Sequence, residues 1–138
     1  MIIRYTTPYH NFVLPFLAEE IEVVELIYSQ NGEVVLDKKS NDIESKITIT
    51  DLDDIIKNAS MGYEGIINEI TGQVDDLESC SLLRIHLTQD DTALFKRYKA
   101  ERKNIALIEI RVKDKKEDSF ICFPIQVRIF GGTQQGVL

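Results

Sequence analysis

Cysteine is close to absent from this chain: of 138 residues, only Cys80 and Cys122 carry a thiol. They stand 42 residues apart with no CxxC and no neighbouring histidine, which excludes a disulfide scaffold and gives no zinc or redox signature. Both are expected as buried or idle thiols, since a free cysteine packs as a small hydrophobe. Histidine is as scarce. His10 and His86 lie far apart in sequence, and neither has a partner at a metal-ligand or acid–base spacing. There is no GxSxG, and Gly131-Gly132 is not followed by GK[ST], so neither a serine nucleophile nor a phosphate loop is signalled. Three prolines, seven glycines and no tryptophan exclude collagen and low-complexity disorder. No apolar run approaches the roughly 20 residues of a membrane span. The opening MIIRYTTPYH lacks the basic and apolar regions of a secretory signal, so production in a cytoplasm is expected.

Positive charge is also short. Sixteen basic against 23 acidic side chains leave a net charge of −7, which repels phosphate backbones and anionic headgroups. Neither nucleic acid nor membrane is therefore expected as a partner. The acidic pairs Asp53-Asp54, Asp75-Asp76 and Asp90-Asp91 invite a test for calcium. Counting from Asp51, the calcium loop wants Gly where Ile56 stands and a bidentate Glu where Gly62 stands, so no metal site is expected. No catalytic residue and no cofactor is assigned, and the expectation is a protein that is not an enzyme.

What the chain does have is period-two alternation, the mark of strands with one face on a core. With 43% hydrophobic residues, one domain spanning 1–138 can build that core. In Ser81–Thr88, Leu83, Ile85 and Leu87 oppose Arg84, His86 and Thr88. In Ile105–Lys113, Ala106, Ile108, Ile110 and Val112 oppose Glu109, Arg111 and Lys113. In Ser119–Phe130, Ile121, Phe123, Ile125, Val127 and Ile129 are expected inward, and Phe120, Cys122 and Phe130 make the other face partly apolar, as if covered on both sides. Asp114–Asp118 joins the last two runs as a hairpin. A second hairpin, Ile21–Gln30 with Glu33–Asp37, flanks Asn31-Gly32, the pair that most readily takes a type I′ turn. Tyr9–Leu14 stops at Pro15 and reads as an edge or terminating strand, and Lys46–Thr50 adds a seventh strand if it pairs.

Between Asp51 and Glu78 the period changes. Leu52, Ile55, Ile56 and Ala59, then Ile66, Ile67, Ile70 and Val74, fall at helical spacing, which predicts a helical insertion over about 51–78. Gln89–Phe95 predicts a short helical turn capped by Thr88. The tail, residues 131–138, carries three glycines and two glutamines and is expected to be flexible or ordered by a partner. The order of elements fits a mostly β fold, a β-sandwich with a helical insertion.

Charge is unevenly distributed along the chain. Residues 51–78 hold eight acidic side chains against Lys57, and residues 96–103 hold five basic ones against Glu101. Complementary surfaces of this kind suit head-to-tail contacts between identical subunits. Lys96, Arg97 and Lys99 are accordingly the candidate assembly contacts, together with Gly131, Gly132, Gln134 and Gln135 of the tail, a candidate strand donor for a neighbour's sheet edge.

The segment Thr6-Thr7-Pro8-Tyr9-His10-Asn11-Phe12-Val13-Leu14-Pro15-Phe16 resembles the start of a family of small proteins encoded by phages and prophages of gut Firmicutes, with its TTPxHxFxLPF pattern. Ile27–Gly32 with Val34–Leu36 resembles that family's first hairpin, Leu87–Thr92 with Phe95 its helical turn, and Ile108–Val112 with the following strand its last hairpin. Residues 39–79 depart from the family, whose members are shorter there. The layout is also similar, more distantly, to the amino-terminal β-sandwich of upper baseplate proteins of lactococcal phages. The resemblance implies an immunoglobulin-like antiparallel β-sandwich serving as a structural component of a bacteriophage virion, in a baseplate, tail, neck or head surface. Its implied partners are other virion proteins and copies of itself. It would be made in the bacterial host cytoplasm and located in the virion. The alternative expectation is an intracellular phage-encoded binding module that engages a host protein through the acidic insertion.

Overall fold

Alternation in the sequence becomes two sheets facing one another. The structure, a computed structural model, describes residues 1–57, 77–121 and 124–131. In chain order the strands are β1 (Ile2–Ile3), β2 (Tyr9–Leu14), β3 (Ile21–Gln30), β4 (Glu33–Lys39), β5 (Ile47–Asp51), β6 (Ser81–His86), β7 (Ile105–Asp114), β8 (Ser119–Ile121) and β9 (Ile125–Phe130). The large sheet runs β1-β9-β7-β3-β4, with β8 also on β7, and the small sheet runs β2-β6-β5. This is the strand order of an immunoglobulin-like sandwich: β2, β6 and β5 take the places of strands B, E and D, and β9, β7, β3 and β4 those of G, F, C and C′. The expected mostly β, sandwich fold is therefore present. One detail adds to the antiparallel expectation: β1 pairs parallel to β9, Ile2 with Ile129 and Ile3 with Phe130.

The core lies between the sheets. Val24, Leu26 and Tyr28 of β3 and Ile108, Ile110 and Val112 of β7 meet Leu14 of β2 and Leu83 and Ile85 of β6, all buried. Each such side chain contributes about 1.5–3 kcal/mol by leaving water. The β3–β4 hairpin turns at Asn31 (φ 52°) and Gly32 (φ 81°), both in the left-handed region that a type I′ turn demands. Edge strand β2 ends before Pro15, and β5 pairs with β6, so the conditional seventh strand is real. Helix α1 (Leu52–Lys57) buries Leu52 and Ile55 against Leu82, on the face of β6 away from the main core. Helix α2 (Gln89–Ala93) is capped by Thr88, whose hydroxyl accepts from Asp91 N–H while the Asp91 carboxylate accepts from Thr88 N–H. Lys38 of β4 lies 3.0 Å from the same carboxylate and ties α2 to the large sheet.

Two expectations need correction. Residues 119–130 form two strands with Pro124 between them, and Ile121 faces outward, 66% exposed. Register supplies the reason. Ile121 opposes Arg111 and Ile125 opposes Ile108, so the β8–β9 line takes four steps where β7 takes three. One extra residue reverses which face each side chain meets. Among its described residues this line is not covered on both sides, since Phe120, Ile121, Gln126, Arg128 and Phe130 are exposed; Cys122 and Phe123 lie outside the described residues. The middle of the helical insertion, residues 58–76, and the tail beyond Gly131 lie outside the described residues. The insertion's described ends are α1 and a 3-10 turn, Leu77–Ser79.

Candidate assembly surface

The basic segment 96–103 connects α2 to β7 and could have been a loose loop. Two amide side chains hold it instead. Gln30, the last residue of β3 and buried, accepts from Lys96 N–H at 2.9 Å and donates to the carbonyls of Lys96 at 2.7 Å and Lys103 at 3.0 Å. Asn104, also buried, accepts from Tyr98 N–H at 2.7 Å and donates to the Tyr98 carbonyl at 2.8 Å. Its own carbonyl accepts from Ile129 N–H at 2.8 Å, which fixes the segment to β9. An amide carries both donor and acceptor, so each clamp satisfies a stretch of backbone that has no strand to pair with.

The charged side chains radiate from this fixed frame. Arg97 forms a forked contact with Glu101, at 2.6 and 3.3 Å, and Arg128 of β9 lies 3.7 Å from the same carboxylate. The Arg97 guanidinium beside Glu101 holds its carboxyl below the ordinary carboxylate range, with Arg128 adding to the effect. Lys96, Lys99, Arg102 and Lys103 are exposed around this group. Beside it opens a recess of about 340 Å³ whose lining includes Gln30, Glu33, Val34, Leu94, Lys96 and Tyr98. Val34 is 65% and Leu94 56% exposed, so the recess carries apolar side chains between Lys96 and Glu33.

Of the residues singled out in the sequence, Lys96, Arg97 and Lys99 share this end of the sandwich, and Gly131 joins them. A Cβ at Gly131 would stand 3.3 Å from Arg97 Cγ, so the chain leaves β9 along the Arg97 side chain. Gly132, Gln134 and Gln135 lie outside the described residues. Sequence reasoning missed Arg128, Val34 and Leu94, because nothing in their own runs links them to residues 96–103. The one available signal for Gln30 was a polar side chain ending a β-branched strand before Asn-Gly.

The two histidines sit elsewhere. His86 stacks on Tyr9 at 4.1 Å between ring centres and reaches the Thr7 carbonyl at 3.1 Å. His10 is buried, with Nδ1 2.8 Å from the Tyr28 hydroxyl and Nε2 3.0 Å from the Met1 carbonyl. The carbonyl only accepts, so Nε2 carries the proton and Nδ1 accepts from Tyr28. Burial pushes the His10 ring below the usual imidazole range, against the opposing pull of the Met1 carbonyl, and burial also pushes the Tyr28 hydroxyl up.

No protein-family model matches the chain, and no curated protein matches it.

Proposed function

We propose that this chain is a structural component of a bacteriophage virion, a non-enzymatic part of a baseplate, tail, neck or head surface. It is made in the host cytoplasm and works in the particle through contacts with other virion proteins and with copies of itself. The phage assignment rests on the TTPxHxFxLPF-like start and the hairpin segments that resemble phage-encoded proteins. The assembly assignment rests on one observation, the open β8–β9 edge of the large sheet.

Among the described residues β1 pairs with β9 only at Ile129 and Phe130, and no strand lies beyond β8 or beyond Ile125–Arg128. Exposed Phe120, Ile121 and Phe130 line this edge, and residues 119–130 hold a single charge, Arg128. Sheets that must stay solitary blunt such edges with charge, bulges or proline. Both edges are irregular, β8–β9 at Pro124 and its added residue and β4 at the bulge by Tyr28/Ser29, but β4 adds paired charge in Lys38-Lys39 where residues 119–130 hold Arg128 alone. An edge left apolar on one side and charged on the other supports a neighbour on the apolar one.

The test is incorporation of an Ile121→Lys variant into particles from the cells that encode the chain. The folded variant is expected to drop out of purified particles that retain the wild type. Equal incorporation of both would remove the edge from the assembly. Absence of the wild type itself, with a host protein captured in its place, would favour the intracellular module.

A further inference from the structure

Opposite charges occupy opposite ends of the sandwich, and the topology dictates this. β3 and β7 are antiparallel, with Gln30 opposite Ala106 at one end and Ile21 opposite Asp114 at the other. Segment 96–103 is clamped to Gln30 and Asn104, so its five cations and Arg128 gather at the Gln30 end, with Glu101 held among them. Leu14, Asp51 and Ser81 are paired at the far end of the small sheet. Ala18 N–H donates to Asp51 Oδ1 at 2.8 Å, and Lys115 N–H donates to the Glu20 carbonyl at 3.0 Å, which brings residues 18–20, α1 and residues 77–79 to the Ile21 end. Glu19, Glu20, Glu22, Asp54, Glu78, Glu117 and Asp118 are exposed there, and they outnumber Lys115 and Lys116 of the turn after β7. Between these acids α1 turns Ile56 to solvent.

A chain of net charge −7 repels its copies in most orientations. End to end, this repulsion becomes attraction. The Gln30 end also offers the 340 Å³ recess, where exposed Val34 and Leu94 lie between Lys96 and Glu33, and the Ile21 end offers exposed Ile56 on the same helix as Asp54. We propose that this chain associates head to tail with a second copy, the acidic end carrying Ile56 and Asp54 docking on the basic end of the next at Val34, Leu94 and Lys96. The contact is heterologous, so repetition gives a closed ring or an open filament according to the rotation between subunits. The inference rests on the assembly reading above but uses neither the β8–β9 edge nor the tail.

Sedimentation velocity on the full chain, at about 20 mM and about 0.5 M salt, tests it, since screening shortens the reach of these charges several-fold across that range. Wild type is expected to associate with rising concentration at low salt and to dissociate at high salt. Lys96→Glu/Lys99→Glu and Asp54→Lys/Glu78→Lys, each checked for an unchanged melting temperature, should each weaken association about tenfold or more. Mixing the two should restore it, because each keeps the end the other has lost. A monomeric wild type at low salt, association that ignores salt, or reversed variants that associate like wild type would each overturn the proposal. So would a monomeric chain that binds a DNA duplex through its basic end, since a different polyanion would then be the occupant. A monomeric chain that is nonetheless found in particles overturns the head-to-tail contact and leaves the virion reading standing. Head-to-tail association by a chain absent from particles does the reverse.

Discussion

His10 shows how far one side chain's chemistry depends on contacts its neighbours in sequence do not disclose. On a strand it was simply an isolated imidazole, but pairing with Tyr28 and the Met1 carbonyl makes it a neutral link between β1, β2 and β3. Its ring is held below the ordinary value of about 6.5, so the folded chain binds fewer protons there than the unfolded chain. Its stabilising contribution is complete above that pH and is lost as pH falls below it. The melting temperature should therefore decline between pH 7 and pH 5, and His10→Leu should remove the part of that slope due to this ring. A wild-type melting temperature flat across the interval would contradict this. Tyr28→Phe keeps the ring packing and leaves Nδ1 without its donor, at a cost of about 1–3 kcal/mol. None of this was legible in the sequence, because a buried polar pair 18 residues apart obeys no local period.

Elements with sustained alternation were legible, and those shaped by a single added residue or by tertiary pairing were not. β6 and β7 match their alternating runs, and Asn31-Gly32 makes the turn it suggests. β1, two residues long, shows no period at all, and the inversion between β8 and β9 hides behind a run that looks continuous. Because Ile121 already faces water, Ile121→Lys should leave stability within about 0.5 kcal/mol while removing an assembly contact. The charges of segment 96–103 were legible because they are local, whereas its anchors, Gln30 and Asn104, lie outside it and were not. Gln30→Leu should free the Lys96 amide and the Lys96 and Lys103 carbonyls from their shared partner. The expected cost is about 1–3 kcal/mol, together with faster hydrogen exchange at Lys96. Unchanged exchange at that amide would show that the segment is held by other means.

At the scale of the molecule, the sandwich could be anticipated and its polarity could not. Composition gave net charge, and the runs at 51–78 and 96–103 showed that charge was uneven along the chain. Only the strand order places residues 51–56 and 77–79 at the end opposite 96–103, because β3, β5, β6 and β7 decide which loops share a pole. The apolar β8–β9 edge is likewise a property of the assembled sheet. On the proposed reading these surfaces supply one side for a lateral neighbour and two ends for copies of the chain, the requirements of a repeated part in a larger particle. Quantitative mass spectrometry of purified particles, with this chain measured against the major capsid and portal proteins, tests that claim most directly. A fixed stoichiometry of about five, six or twelve copies, or a multiple of these, is expected for a subunit on a symmetry axis of head, neck or tail. Particles that infect and package normally without the chain among their proteins would contradict it.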